Sequence, residues 1–159
     1  MEFKFDAPAG RVFALLTDAK FLQERCLAIG DISAECKVKK GSGPVVTMKR
    51  EARRELPSVL AKLFNPVSKF TIEEHWSGDD QDGRTGSYLF EIVGQPVSVS
   101  ADIRLQADGK GSVYRIRHQC KARIPLIGGV VERFVLSQVE QGCRDELEYT
   151  AQALKKKAK

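Results

Sequence analysis

The sequence lacks the features of a membrane-spanning or exported chain. Among its 159 residues there is no run of about 18 apolar residues, the length that a transmembrane helix needs. The first six residues, MEFKFD, have no basic start followed by an apolar run, so no signal peptide is predicted. These absences predict a cytoplasmic protein.

Cysteine and histidine are scarce, and neither is spaced for metal binding. The two histidines, His75 and His118, are predicted on opposite faces of their strands. No phosphate-binding glycine loop and no nucleophile elbow is present. We therefore predict no metal and no cofactor. The four cysteines lack the short paired spacing of zinc sites and redox motifs and are expected to be free thiols in a reducing compartment. They are Cys26, Cys36, Cys120 and Cys143.

The positive charge is concentrated at the end of the chain. The formal net charge is +5, from 26 Lys and Arg against 21 Asp and Glu, and four of the lysines lie in residues 155–159. Much of the remaining positive charge is predicted on the outer face of the last strand. Because the aromatic residues are predicted to face inward and do not interleave with the basic residues, nucleic-acid binding is not expected. The length fits one domain, which we place at 1–154, followed by a basic tail at 155–159.

The hydrophobic periodicity predicts a strand, two short helices, six further strands and a long C-terminal helix. Short links rich in Gly and Asp between the strands indicate antiparallel pairing. From about 126 to 156, apolar residues recur every three or four positions, which is typical of one long helix. Some 28 residues span about 42 Å, so this helix must lie across the sheet. The first helix is expected to have Asp6 as its N-cap, and the second to cover 19–26 after a Thr17-Asp18 cap.

Three segments carry a family resemblance. Residues 124–133 read IPLIGGVVER, residues 3–18 join an FxF strand to an APxxxVF helix, and Glu74-x-Trp76 lies in the fourth strand. Together they resemble the START-like superfamily, also called Bet v 1-like or SRPBCC, in a bacterial branch of unassigned function. The resemblance implies an α+β helix-grip fold of order β-α-α-β6-α. In this fold a curved antiparallel seven-stranded sheet wraps around the C-terminal helix and encloses a cavity for an apolar ligand.

The inward faces of the strands supply the candidate ligand site. Most positions there are apolar, and the polar exceptions include Arg50, Glu74 and His118. Because a buried polar group must find a partner, these residues either line a pocket as the few polar groups of an apolar site, with Arg50 and Glu74 as a pair, or are a hydrogen-bonded core histidine and strand-end charges near water. The predicted ligand-binding residues are Leu60, Phe64, Phe70, Ile72, Glu74, Trp76, Tyr88, Phe90, Val99, Ile103, Tyr114, Ile116, His118 and Phe134.

The insertion between the third and fourth strands has apolar residues at helical spacing. Leu56, Leu60 and Phe64 share one face, and Pro57 and Pro66 bound the segment, which predicts a short amphipathic helix. Three roles stay open. The helix is a lid over the cavity mouth, an element that dips into a membrane to take up ligand, or a helix packed permanently on the sheet edge.

Three glycines of the long C-terminal helix need a physical reason. Gly142 in mid-helix costs about 1 kcal/mol relative to Ala, which indicates a packing or cavity-shaping role. Gly128 and Gly129 either let the helix approach the sheet closely, leave room at the cavity mouth, or form a flexible joint. Glu132 and Arg133 are expected to face solvent or to cap a neighbouring loop.

These features lead to one leading hypothesis and two others. The first is a carrier or sensor that binds a lipid-like or polycyclic molecule without a cofactor, as a monomer or homodimer, with at most transient membrane-surface contact. The second, which the resemblance also implies, is a cofactor-free cyclase, dehydratase or hydrolase that acts on an apolar substrate. Its acid/base and orienting groups would be Arg50, Glu74, Tyr88 and His118. The third is an interaction module that uses the face of the lid segment.

Overall fold

One antiparallel sheet of seven strands frames the structure, a computed structural model that describes residues 1–157. The elements are β1 (Glu2–Phe5), α1 (Ala9–Leu16), α2 (Ala19–Ala28), β2 (Ser33–Lys39), β3 (Val45–Arg53), α3 (Ser58–Ala61), β4 (Val67–Asp79), β5 (Gly83–Ile92), β6 (Val97–Asp108), β7 (Gly111–Ala122) and α4 (Gly128–Lys157). The strand order is β1-β7-β6-β5-β4-β3-β2, and neighbouring strands are antiparallel. The predicted α+β helix-grip fold is confirmed.

The alternation predicted for β6 and β7 is present in the structure. In β6, the side chains of Val97, Ala101 and Leu105 are buried, whereas their neighbours along the strand are half-buried or exposed. In β7, Arg115 and Arg117 point to the outer, exposed face. Because side chains in a strand alternate between the two faces, this register puts the apolar face toward the helices and the arginines in solvent.

Helices α1 and α2 begin at different kinds of cap. Pro8, not the predicted Asp6, is the N-cap residue of α1, and its extended backbone lets its carbonyl accept from Arg11 and Val12. Asp18 caps α2 as predicted, because its side chain accepts from the Phe21 amide at 3.0 Å. Both helices bury an apolar face against the core.

Helix α4 packs against β7 and β1 and against α1 and α2. A Cβ at Gly128 would lie 2.9 Å from the carbonyl oxygen of Ala122, so the glycine permits a close approach of helix to strand. Glu132 fixes the same junction, since its Oε1 accepts from the Ala122 amide at 3.0 Å. The three lysines at 155–157 form the exposed last turn of α4, where their positive charge interacts favourably with the helix dipole. Residues 158–159 of the predicted basic tail lie outside the described residues.

The insertion between β3 and β4 contains less helix than expected. Its apolar spacing and its prolines predicted a short amphipathic helix between Pro57 and Pro66, but α3 has only four residues. Short helices are marginal because nucleation is costly, and Pro66 disfavours a helical conformation at Asn65. Leu60, at 1% exposed, anchors this single turn in the core.

Candidate ligand-binding cavity

A cavity of about 120 Å³ lies between the sheet and the helices, bounded by β3 to β5, β7 and all four helices. Its wall is mainly apolar and aromatic. Most residues predicted to bind a ligand lie on this wall, and so does Arg50. The predicted residues on the wall are Leu60, Phe64, Phe70, Ile72, Glu74, Trp76, Tyr88, Phe90, Tyr114, Ile116, His118 and Phe134.

Two predicted residues, Val99 and Ile103, lie off the cavity wall. Both are buried on the expected face of β6. Val99 is paired with Phe90 across the sheet, and the longer aromatic side chain reaches the cavity where the valine does not. Ile103 lies beside Gly86 on β6, a strand that α1 also contacts. These two predicted ligand-binding residues therefore do not line the cavity.

An ion-pair network at one end of the cavity joins three elements. Arg50 donates through Nε to Asp31 and through one terminal nitrogen to Glu146, each at 2.6 Å. Arg25 donates to the other oxygen of Glu146 at 3.0 Å and to the Thr150 hydroxyl at 3.4 Å. The arginine side chains are only 4% exposed, and the buried Nε of Arg25 is left without a hydrogen-bond partner within residues 1–157. Removing one partner of such a buried pair is strongly destabilising.

This network corrects the predicted pairing of Arg50 with Glu74. The guanidinium of Arg50 is engaged by Asp31 and Glu146 instead. Burial lowers the pKa of Arg50, but the charge of Glu146 and the hydrogen bond to Asp31 outweigh it and the pKa is raised. Burial likewise raises the pKa of Glu146, but Arg50 and Arg25 outweigh it and hold that pKa below its ordinary value. Both groups are therefore charged at neutral pH.

Glu74 is a second carboxyl group of the cavity wall. Its Oε2 accepts from the indole Nε1 of Trp76 at 3.0 Å, and in the sheet it is paired with Tyr88. Burial raises the pKa of Glu74 to about 7, although the Trp76 hydrogen bond opposes the shift. At neutral pH this carboxyl group is therefore divided between its neutral and charged forms.

His118 is a neutral polar group on the same wall. Its ring packs edge to face on Tyr88, with 5.8 Å between the centroids. Burial lowers the pKa of His118 and raises those of Tyr88 and Tyr114, so all three rings are uncharged at pH 7. Within residues 1–157 the buried Nδ1 of His118 has no hydrogen-bond partner. A polar atom of a bound molecule could satisfy it.

The wall residues Leu56, Leu60 and Phe64 lie at one end of the sheet, which we call the cavity mouth. The register places the end of β3, β5 and β7 beside the start of β4 and β6, and both α3 and the link from β7 to α4 cover this end. Leu126 in that link is fully exposed, with a φ of 70° that is unfavourable for a leucine. Five of the exposed large apolar side chains lie at this end. They are Val59, Leu63, Val93, Leu126 and Val130.

Gly142 gives the cavity part of its volume. It lies on the wall, and a Cβ built at this position meets no atom within 4 Å. The cavity-shaping role predicted for this glycine therefore agrees with its surroundings. Its neighbour on the wall, Cys143, is half-buried, as is Cys120, whereas Cys26 and Cys36 are fully buried; all four are free thiols.

Neither a metal cluster nor a membrane-spanning helix is found in the part of the chain that the structure describes. Across residues 1–157, no group of three His, Cys, Asp or Glu side chains is arranged to hold a metal ion. Over the same residues, no helix combines the length and the apolar character needed to cross a bilayer.

One protein family matches nearly the whole chain. A family model described as "Protein of unknown function (DUF2505)" matches residues 1–154. The chain belongs to this family. It is 28% identical over 112 residues to the uncharacterized protein Rv0481c of Mycobacterium tuberculosis (strain ATCC 25618 / H37Rv) and to Mb0491c of Mycobacterium bovis (strain ATCC BAA-935 / AF2122/97). Each match spans 69% of this chain and 64% of the relative's length.

Solved structures share the fold of this DUF2505 protein. The crystal structure of TTHA0849 from Thermus thermophilus superposes with a TM-score of 0.66 at 16% identity, covering 96% of this chain and 92% of that one. The crystal structure of Ara h 8.0201 superposes with a TM-score of 0.55 at 18% identity, covering 94% of each. The Bet v 1-like, START-like fold implied by the sequence resemblance is therefore confirmed.

Proposed function

We propose that this DUF2505 protein is a cytoplasmic carrier or sensor that binds an apolar small molecule in its cavity. The main support is the wall itself: aromatic and aliphatic side chains surround the space, and a few polar groups converge on it from different elements. This composition is typical of small-molecule sites. The buried ion pairs close one end, so an apolar body would lie toward α3 and the start of α4.

The size of the cavity limits what binds without movement. A cavity of about 150 Å³ in another protein holds benzene, so a space of about 120 Å³ suits a single ring or a short branched chain. A lipid-like or polycyclic ligand requires the mouth to open. Helix α3 is suited to this movement because it is a single turn anchored by Leu60, with Val59 and Leu63 about half exposed.

A cavity-filling variant tests the binding site. In Gly142→Leu the new side chain occupies cavity space, whereas in the control Gln141→Leu the same side chain lies on the exposed face of α4. We expect Gly142→Leu to weaken binding of the neutral fluorophore N-phenyl-1-naphthylamine at least tenfold, and Gln141→Leu to change it less than twofold. Unchanged binding in Gly142→Leu, together with no small molecule in native mass spectra of protein from its own host, would contradict the proposal.

Transient contact of the mouth with an anionic membrane surface is the loading route that we favour. Basic residues accompany the exposed apolar side chains at this end. Segments 53–69, 91–96 and 121–133, which meet there, contain seven Lys or Arg and three Asp or Glu. Exposed apolar groups flanked by basic residues are typical of surfaces that bind anionic lipid. Backbone strain at Leu126 is consistent with a functional position.

Vesicle sedimentation tests the loading route. Phosphatidylglycerol vesicles should retain more protein than phosphatidylcholine vesicles, and Leu126→Asp should reduce that retention several-fold. The control is Leu89→Asp, an exposed leucine of β5 away from the mouth, which should behave as wild type. Equal retention by both lipids, or by wild type and Leu126→Asp, would rule the route out.

A cofactor-free enzyme is the second candidate, and one observation favours it. Glu74 has a pKa of about 7 in an apolar cavity, which suits a general acid or base at neutral pH. If the bound molecule is a substrate, Glu74→Gln and His118→Gln should each abolish its conversion, followed by mass spectrometry, and His118→Gln should leave its affinity within a few fold. Equal loss of conversion and affinity would favour the binding role.

A further inference from the structure

The cavity contains a carboxyl group that lacks a cationic partner among the described residues. Glu74 accepts one hydrogen bond, from Trp76, and residues 1–157 supply no other donor to it. The two buried guanidinium groups on the wall pair with other carboxylates, Arg50 with Asp31 and Glu146 and Arg25 with Glu146, and only the Nε of Arg25 has no hydrogen-bond partner within residues 1–157. Among the described residues, no ion pair joins Glu74 to either group or to Arg54, the third arginine on the wall. The other oxygen of Glu74 is thus available to a donor from a bound molecule.

Glu74 is an acidic group of the wall that makes no ion pair within residues 1–157. Arg25 and Arg50 are balanced by Asp31 and Glu146, and the half-buried Arg54, also on the wall, makes no ion pair with Glu74. Burying an unpaired carboxylate is costly, which agrees with the raised pKa of this group. The titratable and charged groups that act on it come from every side. They are Arg25 on α2, Arg50 on β3, Arg54 in the link after β3, Tyr88 on β5, Tyr114 and His118 on β7, and Cys143 and Glu146 on α4.

Aromatic rings surround this carboxyl group. Trp76 lies two residues along the same strand and Tyr88 is its partner in β5. Phe70 and Phe90 form a ring pair with 5.0 Å between the centroids on the same wall. The guanidinium of Arg50 already lies 5.1 Å from the Phe70 ring. Aromatic faces attract cations, so the wall around Glu74 suits a cationic group.

We propose that the ligand of this cavity is an amphipathic amine whose ammonium group pairs with the carboxylate of Glu74 while its apolar body fills the aromatic pocket. The inference rests on the proposed ligand-binding function and deepens it. The ammonium group donates to the free oxygen of Glu74 and neutralises its charge. An anionic ligand would meet Glu74 and Glu146, whose charges have the same sign, whereas Arg25 and Arg50 are already paired with carboxylates.

Binding of the amine is pH-dependent with a defined sign. The carboxylate form of Glu74 predominates above pH 7, and an alkylamine stays protonated up to about pH 10. Affinity for the amine is therefore highest between these values. It falls by roughly tenfold from pH 8 to pH 6 as Glu74 takes up a proton. A neutral ligand of the same shape does not follow this profile.

Trp76 is a built-in reporter for the test. It is the only tryptophan in the chain, and its indole N–H donates to Glu74. Its NMR resonance can be titrated with benzylamine, benzyl alcohol and benzoate, which share one ring. At pH 8 we expect benzylamine to bind wild type at least tenfold more tightly than benzyl alcohol, and benzoate to bind most weakly.

Substitution of the carboxyl group separates this inference from the proposed function. Glu74→Gln should remove the preference for the amine and leave the affinity for benzyl alcohol within twofold. The control, Glu73→Gln, changes an exposed carboxyl group on the opposite face of β4 and should retain the preference. If wild type binds the alcohol as tightly as the amine, or if Glu74→Gln keeps the preference, the inference is wrong and the binding function stands. If none of the three binds wild type, both are wrong.

Discussion

Replacing Gly142 with alanine should stabilise the protein, which is unusual for a glycine beside a functional cavity. In mid-helix, glycine costs about 1 kcal/mol relative to alanine because more backbone freedom is lost on folding. At this position in α4 the added methyl group meets no atom within 4 Å, so no clash offsets the gain. The free energy of unfolding should rise by about 1 kcal/mol, and the melting temperature by roughly 2–4 °C for a domain of this size.

Gly128 supplies the matched comparison within the same helix. There an added Cβ would lie 2.9 Å from the carbonyl oxygen of Ala122, a backbone atom that cannot rotate away. Gly128→Ala should therefore lower the free energy of unfolding by about 1–3 kcal/mol, the usual cost of overpacking.

Urea denaturation of the two variants and wild type measures these opposite signs. The midpoint should rise in Gly142→Ala and fall in Gly128→Ala at unchanged slope. A Gly142→Ala variant that is as stable as wild type or less stable would refute the reasoning, since it would mean that the space beside α4 is already filled.

Three further predictions concern the buried charges. Arg50→Ala should cost about 3–5 kcal/mol of unfolding free energy in urea titrations, because it leaves Asp31 and Glu146 unpaired, whereas exposed Arg53→Ala should stay within about 0.5 kcal/mol. The pKa of Glu146 is lowered, so the stabilisation that its carboxylate provides is fully present above its unfolded-state pKa of 4.5 and is lost as the pH falls through its lower pKa in the folded protein. Between pH 5 and pH 3 the free energy of unfolding should therefore fall more in wild type than in Glu146→Gln, and parallel plots of this free energy against pH would contradict the prediction. The pKa of Glu74 is raised from 4.5 to about 7, so wild-type stability declines as the pH rises through that interval. Glu74→Gln should remove this decline. Relative to wild type, its free energy of unfolding should be higher at pH 8 than at pH 4 by on the order of 3 kcal/mol at most, and a decline that persists in the variant would contradict the raised pKa of Glu74.

The strands and most of the cavity wall followed from the sequence because they depend on local periodicity. A period of two identifies the inward face of a strand, and inward aromatic residues on adjacent strands converge in any curved sheet. The same rule does not separate Val99 and Ile103, which are buried on the inward face of β6, from the residues that line the cavity, since it gives the face of a residue but not which inward side chains reach the cavity.

The ion-pair network could not be predicted because its members lie on separate elements. Arg25 is on α2, Asp31 is in the following link, Arg50 is on β3 and Glu146 is on α4. Only tertiary packing brings them together. One signal was available: Arg25 lies beside Phe21 and Leu22 on the buried side of α2, and an arginine there needs a buried carboxylate. Sequence spacing alone did not indicate which one.

The network and Glu74 are electrostatically linked, which makes the amine preference adjustable from a distance. Glu146 raises the pKa of Glu74, and Arg25 and Arg50 lower it. Glu146→Gln removes one negative charge and leaves the two arginines with a single carboxylate, Asp31. The pKa of Glu74 should then fall below 7, because surplus positive charge now favours its ionised form. The same surplus opposes an ammonium group, so the preference for benzylamine over benzyl alcohol should shrink at pH 8. A pH titration of the Trp76 indole resonance measures the first effect and the ligand pair measures the second. An unchanged Glu74 titration in Glu146→Gln would show that the two sites act independently.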